Sequence, residues 1–325
     1  MGNLLDVDNL AVTLPGPRGP LPILHGVSLT VGEGELVGIA GESGCGKSLT
    51  AQALLGLLPP GAKVTGSARF AGAELLGLDN RGWQRVRGAG ISMVFQDPTA
   101  ALHPMLTVGR QLTEHMRVHL KLDRRAADRR AVELLDQVRI PDPERAVRAY
   151  PHQFSGGMRQ RVAIAIALAA KPRLLIADEP TTALDVTVQA GILALLDRLR
   201  SETGLAVAFI THDLGVLSSL TTRSYVFYAG RVVETGPTGA LLTEPRHPYT
   251  AALLGARPHG TQAVGTLRPI PGGPPAPGEL PPGCAFQPRC NFAEPSCTTA
   301  PPPLAPVGTD RSAACPVRPS LEVVA

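Results

Sequence analysis

Gly41-Glu42-Ser43-Gly44-Cys45-Gly46-Lys47-Ser48 fits the pattern G-x-x-x-x-G-K-S. Glycines at this spacing let the backbone turn its N–H groups inward around a phosphate. A helix that follows aims its positive end at the same point. Lys47 has the reach for the β- and γ-phosphates of a nucleotide, and the Ser48 hydroxyl can ligate Mg²⁺. Leu49 completes the expected nucleotide-contacting stretch. Cys45 reads as a tolerant small-residue position, since nothing near it in sequence marks a redox sensor.

A second constellation is Arg173-Leu174-Leu175-Ile176-Ala177-Asp178-Glu179-Pro180, an apolar run closed by two acids. A continuous apolar run is what a strand covered on both faces shows. The C-terminal end of such a strand is where open α/β sheets hold their ligands. There Asp178 can hold Mg²⁺, directly or through water, and Glu179 can orient and deprotonate an attacking water. The plainer reading of the two acids is helix capping. A third constellation, Phe154-Ser155-Gly156-Gly157-Met158-Arg159-Gln160-Arg161, precedes the apolar helical run Val162–Ala170. Ser155, Gly156 and Gly157 at a helix start form a second anion-binding site. Two γ-phosphate sites in one chain are reconciled most economically by a dimer, in which each closes over the other subunit's loop.

These motifs need elements to carry them. Alternation of apolar and polar residues, with Pro/Gly turns, predicts strands at Leu4–Val12 and Glu35–Ala40. The second strand runs into the glycine loop, and a helix follows from Lys47 to about Leu57. Residues 64–77 read as a hairpin and residues 107–150 as charged helices, with Arg124, Arg125, Arg129 and Arg130 on a solvated face. A βα pattern resumes from 155 to about 220. Residues 269–283 are rich in Pro and Gly and read as an extended linker. There is no internal repeat.

The bulk numbers exclude some function classes. The chain has 325 residues, a net charge of only +4 and 4% aromatic residues, so neither a basic nor a base-stacking surface for nucleic acid is expected. Hydrophobic residues at 44% suffice for a sizeable core. The longest apolar run, Val162–Ala170, is nine residues and too short to span a bilayer. The N-terminus lacks the basic and apolar regions of a signal peptide. A membrane role is expected to come from docking on another subunit. Cys284, Cys290, Cys297 and Cys315 cluster near the C-terminus, which in a cytosolic chain points to a metal site more than to disulfides.

Taken together the motifs resemble the ABC ATPase family over nearly the whole length. Gln96, in Val94-Phe95-Gln96-Asp97-Pro98, matches the family's Q-loop. Ala183-Leu184-Asp185 matches its D-loop, and His212, in Ile210-Thr211-His212-Asp213, its switch histidine. Alone, Gln96 and His212 would be read as ordinary satisfied residues; in this ordered company they are site residues. The resemblance implies that Gln96 senses Mg²⁺ and water and that His212 contacts the γ-phosphate. It implies that Ser155 and Gly157 bind the phosphate on the partner's loop and that Asp185 couples the two sites. It also implies an α/β fold: a P-loop RecA-like core with an antiparallel β-subdomain, an inserted α-helical subdomain and a small C-terminal cysteine-containing extension. The expected boundaries are 1–97 and 166–240 for the core, 98–165 for the helical part with the signature, and 241–325 for the extension. One departure is Leu14, which stands where the family usually places an aromatic residue that stacks on adenine.

The spellings Phe154–Arg161 and Asp178–Gln189 are similar to the oligopeptide/dipeptide and nickel importer branch. So is Arg246-His247-Pro248-Tyr249-Thr250, followed downstream by Pro282-Gly283-Cys284 and Cys290. In that branch such cysteines are associated with a [4Fe–4S] cluster; the C-x5-C-x6-C-x17-C spacing does not suggest a zinc finger, while leaving zinc open. The branch implies ATP and Mg²⁺ as cofactors and a second ATPase subunit as partner, a heterodimer being expected and a homodimer the alternative. It further implies two transmembrane permease subunits, an extracellular solute-binding protein reached indirectly, and a peripheral place on the cytoplasmic face of the membrane. Di- or oligopeptide is the expected cargo; nickel, another metal chelate or another small solute is the alternative. A soluble, non-transport ABC ATPase and a non-catalytic regulatory half are the readings of other classes.

Overall fold

The computed structural model describes residues 2–182, 184–256 and 269–317 together with Leu321. Strands in chain order are β1 (Asn3–Gly16), β2 (Gly19–Gly32), β3 (Leu36–Ala40), β4 (Lys63–Phe70), β5 (Ala73–Glu74), β6 (Ile91–Val94), β7 (Leu174–Asp178), β8 (Ala206–Thr211), β9 (Arg223–Tyr228), β10 (Arg231–Pro237), β11 (Ala305–Gly308) and β12 (Arg311–Ala313). The chain divides into two compact units, each made of discontinuous segments.

The first unit comprises Met1–Leu4, Val31–Glu35 and Gly77–Ile210. Strands β6, β7 and β8 run parallel here, with Ile91 opposite Leu174 and Asp178 opposite Ile210. Every residue of β7 and β8 is buried, which accounts for their unbroken apolar spelling. Helices Val108–His119, Arg124–Gln137, Gly156–Leu168 and Val186–Thr203 are each started by a side-chain cap, from Thr107, Asp123, Ser155 and Asp185 respectively. On Arg124–Gln137 the buried positions Ala127, Ala131, Leu134 and Leu135 fall at helical spacing, while Arg124, Arg125 and Arg129 are exposed, the face expected from the sequence. Arg130 is half-buried and pairs with Glu133 at 3.0 Å.

The second unit comprises Leu5–Thr30, Leu36–Leu76 and Thr211–Ala325. One sheet has the order β2-β1-β4-β5, with β1 antiparallel to β4 and β4 to β5, the hairpin expected at 64–77. In the other, β3 lies parallel to β9, β9 antiparallel to β10, β10 to β12 and β12 to β11. Strand β1 extends to Gly16, beyond the expected Val12, and β2 has no counterpart in the sequence reading. Pro20 and Pro22 at its start obscure a strand that buries Leu24 and then alternates with Val27, Leu29 and Val31 buried. The helix after the glycine loop covers Lys47–Leu54 and is stopped by Gly56, whose φ of 60° is the left-handed value that ends helices. The Pro/Gly-rich stretch 269–283 carries no helix or strand.

Candidate nucleotide site

In the second unit, the fully buried β3 delivers the chain into the glycine loop. Gly41 has φ 152°, and a Cβ there would stand 2.3 Å from the carbonyl oxygen of Phe227, so no other residue fits. Gly44 and Gly46 also take positive φ. Helix Lys47–Leu54 then begins with Gly46 as its cap and no side chain capping its first turn. Uncapped N–H groups at a helix start favour an anion. Lys47 is buried, and its ammonium donates to the carbonyl oxygens of Gly41 at 2.8 Å and Glu42 at 3.0 Å. It is therefore folded over the loop it would serve. Ser43 and Gly44 are exposed, Ser48 and Leu49 half-buried. Cys45 is buried, and burial raises its thiol above the usual range, with Lys47 opposing.

The back of the loop is held by residues to which the sequence reading gave no role. Tyr249 accepts a hydrogen bond from the Glu42 N–H at 2.8 Å. Arg289 donates to both oxygens of the Glu42 carboxylate, at 2.8 and 3.0 Å. That pairing raises Arg289 above the ordinary guanidinium range. Tyr228, Tyr249 and Phe286 form an aromatic cluster, with ring centres 4.5 to 5.3 Å apart. Tyr249 lies in the Arg246–Thr250 string that marked the branch, and Arg289 directly precedes Cys290. Neither spelling signals a contact with a loop more than 200 positions away.

In the first unit, β7 ends at buried Asp178, and Glu179 follows, also buried, at φ 46°. A non-glycine residue in this region carries about 1–3 kcal/mol of strain that its surroundings must hold. They do so here: its N–H donates to Ile210 O at 3.0 Å, and its Oε2 accepts from Gln96 Nε2 at 3.2 Å and Thr182 Oγ1 at 2.9 Å. Gln96 itself is exposed, just beyond β6. Thr182 was not singled out from the sequence; a hydroxyl three residues after the acid was its only signal. Ser155 caps its helix by accepting from Met158 N at 3.3 Å, and Ser155 and Gly156 are exposed at that start. Arg159 of the same helix donates to Thr99 Oγ1 at 3.2 Å, just after the Gln96 segment. A Cβ on Gly157 would approach Val188 to 2.6 Å, so the signature packs closely on the helix that Asp185 caps. Ala183 of the D-loop-like triplet lies outside the described residues. In the second unit, His212 is exposed and follows β8 directly, and Leu14 is half-buried near the end of β1.

Comparison with known proteins decides the family. Residues 24–182 match the ABC transporter family, and residues 233–297 the C-terminal region of oligopeptide/dipeptide transporters. A peptide import ATP-binding protein of Brucella melitensis is 48% identical over 316 residues, 97% of this chain and 95% of the relative. The chain belongs to the ABC transporter ATP-binding proteins of the oligopeptide branch. The oligopeptide transport ATP-binding protein OppD of Mycobacterium tuberculosis is 52% identical over 317 residues of this cassette; the cassette spans about half of that relative, 52% of its length. An ATP-binding cassette solved as a dimer in a post-hydrolysis state with ADP and Pi superposes with a TM-score of 0.64 at 30% identity. It covers 72% of this chain and 98% of its own. The CbiO1 cassette from Clostridium perfringens gives the same TM-score at 28% identity, covering 74% of this chain and 91% of its own.

The cassette's C-terminal region gathers its four cysteines. Cys284 N donates to Cys297 O at 2.8 Å, and Gly283 allows that approach because a Cβ there would lie 2.0 Å from the same oxygen. All four are free thiols, Cys297 and Cys315 buried and the others half-buried. Burial first, and neighbouring cysteines with it, raise the Cys284 and Cys290 thiols. As the side chains stand, no group of three or more His, Cys, Asp or Glu among the described residues is arranged to hold a metal ion. Among those residues no helix is long and apolar enough to cross a membrane.

Proposed function

We propose that this chain is the ATP-binding and ATP-hydrolysing subunit that energises an importer of di- or oligopeptides. The observation that carries the reading is the anchored carboxylate of Glu179, held by Gln96 and Thr182 at the end of a buried strand. The glycine loop of the second unit, with its Lys47 and uncapped helix start, suits a polyphosphate. Residues 41–49 bind the phosphates of ATP. Ser48 and Asp178 are the Mg²⁺ ligands, with Gln96 as sensor. Glu179 takes the proton of the attacking water, and His212 steadies the γ-phosphate.

Ser155, Gly156 and Gly157 serve the nucleotide of a second ATPase subunit, and Asp185 links the two sites. A heterodimer is our choice, docked on two permease subunits at the cytoplasmic face of the membrane, with a solute-binding protein beyond them. In this assignment 1–97 and 166–240 form the nucleotide-binding core, 98–165 the signature-bearing helical part and 241–325 the extension. Cys284, Cys290, Cys297 and Cys315 are proposed as ligands of a [4Fe–4S] cluster, supported by their convergence and four-thiol count. Because the thiols as they stand make no metal-holding group, binding would have to draw them together.

The test is Mg²⁺-dependent phosphate release from ATP by the purified chain, with and without its membrane partners. Peptide-stimulated turnover in the reconstituted complex supports the reading. Absence of turnover in that complex sinks it.

A further inference from the structure

We infer that Arg289 is a positioning residue of the phosphate loop, acting on nucleotide through Glu42. The inference rests on the proposal that the loop binds ATP.

Glu42 is the junction of three contacts. Its carboxylate takes two bonds from Arg289, at 2.8 and 3.0 Å. Its N–H is taken by Tyr249 at 2.8 Å, and its carbonyl receives the Lys47 ammonium at 3.0 Å. The second residue of the loop is thus tied by side chain and backbone to the C-terminal extension, and the loop's lysine rests on that same residue. Arg289 is itself fixed: it also donates to Pro271 O at 2.8 Å and Tyr228 OH at 3.3 Å, and its guanidinium lies over the rings of Tyr228 and Phe286 at 5.9 and 5.8 Å. Tyr228 ends β9, the strand whose Phe227 carbonyl excludes any side chain at Gly41, and Gly230 in the following turn donates to Cys45 O at 2.9 Å. The back of the loop is therefore clasped by the β9–β10 turn and the extension together.

The electrostatic consequence concerns the ligand. A carboxylate inside a loop for polyphosphate repels its ligand, and repulsion in a partly desolvated place is stronger than in water. Arg289 neutralises that carboxylate with a bidentate pair and holds it at the rear. The Arg289 side chain is 6% exposed and that of Glu42 24%, so screening by solvent is incomplete. Removing the guanidinium leaves an unpaired anion in the loop and frees the residue on which Lys47 rests. Removing both charges restores neutrality.

The experiment is equilibrium binding of ATP and ADP, by calorimetry on the full chain, to Arg289→Gln, Glu42→Gln/Arg289→Gln and Lys47→Ala, with thermal melting of each without nucleotide. Arg289→Gln is expected to weaken ATP about tenfold, equivalent to about 1.4 kcal/mol, and ADP by less because it carries less charge. The double variant is expected to return to within about threefold of the parent, because the repelling charge is gone. A merely structural link would give no such recovery. Should Arg289→Gln not fold, Arg289→Lys keeps the charge and loses one bond. Because the charge is kept, affinity within about threefold of the parent is then expected, and a loss of about tenfold or more overturns the inference. Parental ATP affinity in Arg289→Gln, or a double variant no better than the single, also overturns it. If Lys47→Ala loses ATP while Arg289→Gln does not, this inference alone fails. If Lys47→Ala binds as the parent does, the loop assignment fails as well.

Discussion

Gln96 Nε2 donates to Glu179 Oε2 at 3.2 Å, so the segment after β6 touches the acid after β7. The two residues are 83 positions apart, and parallel pairing of β6 with β7 brings them level, with Val94 opposite Ala177. Because Gln96 is exposed and Glu179 buried, the glutamine joins the surface to the acid. Any force that shifts the segment after β6 therefore moves a donor of the proposed base. Thr182 holds the same oxygen at 2.9 Å, so the carboxylate stays oriented by a second donor if Gln96 withdraws.

Glu179→Gln is expected to keep ATP binding and to lose turnover by about a hundredfold or more, the scale of general-base catalysis. The amide preserves size and can still accept from Thr182, but it takes no proton. Phosphate release measured beside nucleotide binding checks this; unchanged steady-state hydrolysis would remove Glu179 from the role of base.

Lys47→Ala is expected to lose nucleotide affinity together with turnover. The ammonium is buried and already points into the loop through Gly41 and Glu42, so truncation deletes a charge-assisted phosphate contact and vacates the loop's centre. A loss of at least about tenfold in ATP affinity is expected, about 1.4 kcal/mol. Calorimetric titration reads it directly, and parental affinity contradicts the loop assignment.

Residues whose chemistry depends on neighbours in sequence were legible in it. The glycine loop, the buried run into Asp178 and the cap at Ser155 are each written within one stretch, so local rules reach them. Lys47–Leu54 and the helices within 107–150 were legible for the same reason. What was hidden depends on distant pairing. Glu42 meets Arg289 across 247 positions, and no period or spacing encodes such a meeting. Strands β11 and β12 lie in a proline-rich tail and are recruited by pairing, β12 onto β10 with Thr235 opposite Ser312 and β11 onto β12, rather than by their own propensity. Thr182 was in plain view, but its role appears only once Glu179 is seen turned to a positive φ.

A pH dependence follows from His247. It is buried, caps helix Pro248–Gly255 by accepting from Tyr249 N through Nδ1 at 3.0 Å, and burial lowers its pKa from 6.5 to about 4. The unfolded chain then binds a proton below about pH 6.5 that the folded chain refuses until about pH 4, so stability falls as pH drops through that window. The full contribution is about 3 kcal/mol on the usual linkage scale. Glu234, which accepts from the His247 N–H, has its carboxyl raised by burial and slopes the opposite way. The difference between parent and variant is therefore the informative quantity. His247→Asn keeps a capping acceptor and removes the titration. Urea midpoints at pH 7, 5.5 and 4.5 are expected to fall less steeply for the variant; parallel curves would remove His247 as the cause.

The cysteine region offers the last prediction. Residues 269–304 are rich in proline and poor in large apolar side chains, so they build little core of their own. Their order comes from Arg289, from Phe286 in the aromatic cluster and from the backbone bond between Cys284 and Cys297. A metal centre on the four thiols would add a cross-link there. Burial and neighbouring cysteines raise the Cys284 and Cys290 thiols, a state that favours protonated sulfur until a cation compensates. Anaerobic purification is expected to yield about four iron and four sulfide per chain, the content of one cubane cluster. Protease resistance of the tail should fall in Cys290→Ser, with ATP binding by the loop as an independent readout of folding. Stoichiometric zinc without iron would replace the cluster and keep a metal site. No metal, with parental protease resistance in Cys290→Ser, would leave four thiols packed for structure alone, with Arg289 and the aromatic cluster holding the segment in place.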